Sequence, residues 1–80
     1  MTMGEAVMLR TRRLLKERGI SLHKFLKDNC IPRTTLINLE NGHTKSPTLS
    51  VVFQIAEGFG MTHLEFQDDP IFFSDELEYM

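Results

Sequence analysis

The 80 residues contain no tryptophan, one cysteine, three prolines and no lysine or arginine after position 45. Each scarcity excludes something. Cys30 alone cannot close an internal disulfide, and it has no Cys-x-x-Cys partner for a metal. His23, His43 and His63 are scattered along the chain without an H-x₃-H spacing, so no metal site is expected. No apolar run approaches the roughly 20 residues of a membrane span, and the N-terminus lacks a signal-peptide core. A reducing cytoplasm is the expected setting, with no membrane partner. There is no glycine-rich phosphate loop and no Ser, His and Asp grouping for a nucleophile, so no cofactor and no enzymatic activity are expected. A chain of this length suits one small domain over 1–80 with a modest core.

What is present is unevenly distributed. All nine Lys and Arg lie between Arg10 and Lys45, opposed there by Glu5, Glu17, Asp28 and Glu40, a formal +5 for residues 1–45. Residues 46–80 carry seven acids and no Lys or Arg, a formal −7. A chain polarised in this way can offer a basic face to nucleic acid while its average stays acidic. The plainer reading is two solvated faces of opposite sign.

Helical spacing dominates the apolar pattern. In residues 5–18, Val7, Met8, Thr11, Leu14 and Leu15 share one side, and Gly19 follows as a stop. Ser21 is the expected cap of a second helix with Leu22, Phe25 and Leu26 inward. Pro32 suits the start of a third helix, 32–41, with Leu36 and Leu39 inward behind Ile31 and a stop at Gly42. Thr48 caps a fourth, with an expected stripe of Leu49, Val52, Phe53, Ala56 and Phe59 before Gly60. Thr62 and Glu65 have capping-box spacing for a short fifth helix. Cys30 is expected to be a partly buried small residue at the turn. The acids from Asp68 onward are expected to form a solvated tail, about 68–80, bearing aromatic residues.

The expected fold is therefore all-α, with five helices. The second and third, about 21–42, are close enough in sequence to form a helix-turn-helix. The segments RGIS (18–21), IPRTTLINLENG (31–42), TKSPT (44–48), IAEGFG (55–60) and LEF (64–66) resemble the lambda-repressor-like family of Cro and Xre-type regulators. The resemblance implies a sequence-specific transcriptional regulator of double-stranded DNA. Its third helix would lie in the major groove with Arg33, Thr34 and Asn38 at base edges. Their chemistry agrees: Arg matches guanine O6 and N7, Asn matches adenine N6 and N7, and a threonine methyl meets a thymine methyl. The resemblance also implies phosphate contacts from Ser21, Asn41, Thr44 and Lys45.

The sequence departs from the family pattern at four positions. Leu22 stands where glutamine is usual, Leu26 where a small residue is usual, and Cys30 where glycine is usual. Leu15 replaces an arginine often paired with the acid at Glu40. Arg12 or Arg18, each about one turn from Leu15, is expected to take over that pairing. Leu26 is expected to be buried and Leu22 partly exposed. A homodimer is expected through the last helix and tail, using Phe66, Ile71, Phe72, Phe73, Leu77 and Tyr79. The alternative is a protein-interaction module of the same fold, antitoxin-like or an adaptor, with weak DNA contact.

Overall fold

A computed structural model describes residues 1–73 of the chain. Five α-helices follow one another: α1 (Met3–Arg18), α2 (Leu22–Asp28), α3 (Arg33–Glu40), α4 (Leu49–Gly58) and α5 (His63–Gln67). A 3₁₀ turn, Pro70–Phe73, comes next. α1 starts two residues earlier than its apolar pattern implied. Thr2 and Glu5 form a capping box there, each side chain satisfying the other's backbone N–H. Ser21, Thr48 and Thr62 cap α2, α4 and α5 as expected, each accepting a backbone N–H of the first turn. In the Thr62 cap, the Thr62 backbone N–H and then its hydroxyl hold the exposed Glu65 carboxyl below its ordinary pKa.

α1 packs against α3, α4 against α5, and the 3₁₀ turn against α1. Between them lies a core of Val7, Leu14, Leu15, Phe25, Leu36, Leu39, Ile55 and Phe66, all at most 5% exposed. The rings of Phe25 and Phe59 stack with centroids 4.3 Å apart, joining α2 to the end of α4. Gly58 makes that approach possible. A Cβ there would meet the Phe25 ring at 2.8 Å.

Leu26 is buried and Leu22 half-buried, as the sequence implies. The α4 stripe differs from expectation. Its buried residues are Val52, Ile55, Ala56 and Phe59, whereas Phe53 and Leu49 are 42% and 66% exposed. Two overlapping i, i+3, i+4, i+7 sets exist in this helix, starting at residue 49 or 52. The one containing Ile55 faces the core. Phe53 lies outside the stripe against His63, at a centroid distance of 4.4 Å.

The first residues of the expected solvated tail are also different. Asp69 is buried, and its carboxylate meets Arg10 Nη1 at 3.3 Å and Arg13 Nη1 at 3.2 Å. It also accepts the Ile71 N–H, which starts the 3₁₀ turn. Arg10 continues inward, donating to the Phe66 and Glu65 carbonyls at the open end of α5. An acid from the negative half is thus drawn between two arginines of the positive half.

Candidate nucleic-acid interface

α2 and α3 are separated by residues 29–32, a short connection held by backbone bonds. The Ile31 N–H donates to the Leu26 carbonyl at 3.0 Å, and the Asn29 side chain donates to the Phe25 carbonyl at 2.8 Å. Cys30 takes φ 54°, the left-handed region that glycine occupies most easily. It is exposed rather than partly buried, because it sits at the left-handed turn itself, where the chain reverses between the half-buried Asn29 and the buried Ile31.

α3 has two faces. Leu36 and Leu39 are buried, each 1% exposed, and Thr35 is half-buried beside them. The opposite face carries Arg33, Thr34, Ile37 and Asn38 at i, i+1, i+4 and i+5. Arg33 and Thr34 are exposed, Ile37 is 41% exposed and Asn38 is half-buried. Among the described residues, nothing pairs with the Arg33 guanidinium. Pro32 precedes α3 at the cap position and has no side-chain cap to offer, so the first-turn N–H groups of the helix lack one. Ile37 was not singled out by the sequence reading, although its spacing from Arg33 already placed it on this face.

The loop after α3 is built from backbone. The Asn38 carbonyl accepts the Thr44 N–H at 2.9 Å, and Asn41 Oδ1 accepts the His43 N–H at 3.1 Å. The Lys45 carbonyl accepts the Gly4 N–H at 2.9 Å, tying this loop to the start of α1. Gly4 is needed there, because a Cβ would press into the Thr44 carbonyl oxygen and sit 3.2 Å from Leu39 Cδ2. Sequence reading missed Gly4, since its role comes entirely from a distant loop. Lys45 is exposed and, among the described residues, unpaired. Ser21 is exposed with its oxygen accepting the Lys24 N–H, which leaves its hydroxyl proton free to donate.

α3 is anchored from α1. Arg12 Nη2 lies 2.6 Å from both oxygens of Glu40. Arg18 serves elsewhere: it donates to the Phe59 carbonyl at 2.6 Å and lies over the Phe59 ring. Four arginines of α1 are therefore engaged inside the chain. Fewer cations are free than the half-chain charge suggests; among the described residues, Arg33 on α3 and Lys45 in the loop after it are unpaired.

Two helices joined across a four-residue connection, the second polar outward and followed by a pinned loop, define a helix-turn-helix protein. The helix-turn-helix family model matches residues 10–66, and the chain belongs to this family, in its Cro/C1, lambda-repressor-like form. No curated protein and no solved structure matches the chain.

The expected dimer surface needs correction. Phe66 and Ile71 are 0% and 7% exposed, packed inside their own chain, and Phe72 is half-buried against Phe66. The chain folds back over itself at 70–73, beside the Asp69 clasp, so Phe66 and Ile71 have no free surface to share. Phe73 remains 73% exposed, while Leu77 and Tyr79 lie outside the described residues. Beside Phe73 runs an apolar groove of about 810 Å³ whose lining includes Val7, Pro47, Leu49, Leu64 and Phe72. No helix among the described residues is long and apolar enough to cross a membrane.

Proposed function

We propose that this protein is a sequence-specific transcriptional regulator that reads the major groove of double-stranded DNA with α3. The observation that carries this is the outward face of α3, where Arg33, Thr34 and Asn38 are presented together and Arg33 has no partner among the described residues. Such a guanidinium can meet guanine bidentately, and an asparagine can meet adenine. Lys45, Thr44 and Asn41 follow in a loop pinned to α1 and act on phosphate. Ser21 donates to another phosphate from the start of α2.

The protein binds as a homodimer in this reading, with two α3 helices about 34 Å apart on half-sites one turn apart. Leu49, Leu64 and Phe73, all at least 66% exposed around the apolar groove, support a second copy as its occupant. Leu64→Glu should then convert the dimer to a monomer in light scattering. A monomeric wild type at high concentration would remove this part of the proposal.

The second reading is an interaction module of the same fold. Leu22 in place of the family's glutamine and the internal engagement of the α1 arginines favour it. Selection from random duplex DNA separates the two. An enriched near-palindrome supports the regulator, and an unenriched pool supports the module.

A further inference from the structure

Ile37 is the anomaly of α3. A β-branched residue in mid-helix carries a propensity cost relative to alanine, and 41% exposure leaves much of its side chain unburied. A single exposed isoleucine needs no explanation by itself. Its position supplies one. With Leu36 and Leu39 defining the core side, roughly 100° per residue places Thr34 and Ile37 on either side of the outward direction. Arg33 and Asn38 flank them. Ile37 therefore stands roughly 50° from the outward direction, as near to it as Asn38 and nearer than Arg33, and it is exposed where Asn38 is half-buried.

We propose that Ile37 is a specificity residue that packs on the C5 methyl of a thymine in the major groove. This rests on the proposed reading of DNA by α3 and adds an apolar contact to it. The thymine methyl is the apolar feature that the four natural bases present in that groove. Isoleucine suits it physically. Its χ1 is confined almost to one rotamer in a helix, so little freedom is lost when its methyl groups meet a partner. The contact also removes apolar surface from water on both sides, which a serine or alanine at position 37 would do less well.

The test replaces thymine by deoxyuridine, which deletes the methyl and keeps the base pair. The full chain is first used to select its site from random duplex DNA. Each thymine of that site is then replaced singly, and binding of the wild type and of Ile37→Ala is measured. One replacement per half-site should weaken the wild type about fourfold, the equivalent of ~0.8 kcal/mol for one buried methyl-sized group. Ile37→Ala should be insensitive at that same position. If a site is enriched but every replacement is silent in the wild type, the inference fails while DNA reading stands. Equal sensitivity of wild type and Ile37→Ala also overturns it. If no site is enriched, the DNA reading itself fails and takes this inference with it.

Discussion

The Arg12 guanidinium holds the Glu40 carboxylate across the gap between α1 and α3, with Nη2 2.6 Å from each oxygen. It fills the role left open by leucine at position 15. Both side chains are about half exposed, 47% and 49%, so water and salt screen the pair. Its coupling should be about 0.2–1 kcal/mol in a double-mutant cycle of Arg12→Ala and Glu40→Ala followed by urea unfolding. The coupling should shrink as salt is added. A coupling of zero at low salt would mean that the pair does not hold α3.

Asp69 should matter more. Its side chain is 11% exposed and that of Arg10 is 12% exposed, so neither charge is well hydrated if the other is removed. Asp69→Ala leaves Arg10 facing the end of α5 uncompensated and removes the acceptor for the Ile71 N–H. The loss should be about 3 kcal/mol, several times that of Glu40→Ala. Equal losses for Asp69→Ala and Glu40→Ala in urea melts would show that the clasp is solvated.

Gly4→Ala sets two effects against each other. Alanine raises helix propensity by about 0.5–1 kcal/mol over glycine. The new Cβ, however, collides with a backbone carbonyl, which yields less easily than a side-chain tip. Overpacking costs about 1–3 kcal/mol, so the collision should win and the variant should be less stable. It should also weaken binding to any duplex, because the displaced loop carries Lys45. A more stable Gly4→Ala protein would contradict the close approach.

The connection between α2 and α3 offers a paired test. Leu26 is 7% exposed, and Leu26→Ala should lose about 2–5 kcal/mol. Cys30→Gly should do the opposite. Relief of the left-handed strain, about 1–2 kcal/mol, outweighs the entropy that glycine adds to the unfolded chain, about 0.4–1 kcal/mol. A net gain of about 0–1.6 kcal/mol follows from that difference. A destabilised Cys30→Gly would mean that the thiol makes a contact worth more than the strain.

Local signals in the sequence carried most of the fold. Ser21, Thr48 and Thr62 announce helix starts because capping depends on neighbours only three residues away. The faces of α1, α2 and α3 follow from apolar spacing, and the Arg12–Glu40 pair could be anticipated from the family's geometry. What was not legible depends on distant partners. Phe53 and Ile55 lie in overlapping helical sets, and only the packed neighbours decide which is inward. Asp69 is one acid among several until Arg10 and Arg13 are seen to converge on it. Gly4 has no local reason to be glycine, and its reason is the loop at Thr44. The outward residues of α3 were readable as a face, but Ile37 was passed over because apolar residues are habitually assigned to the core.

The most direct test of the account compares two single substitutions on two duplexes. Affinities of the wild type, Arg33→Ala and Lys45→Ala are measured for the selected site and for a scrambled one, across a range of salt. Arg33→Ala should lose about 1–3 kcal/mol per half-site on the selected duplex and relax the preference at one base position. Lys45→Ala should weaken both duplexes alike and reduce the salt slope by about one unit per lost phosphate contact. If Arg33→Ala instead behaves like Lys45→Ala on both duplexes, α3 does not read sequence, and the regulator account is wrong.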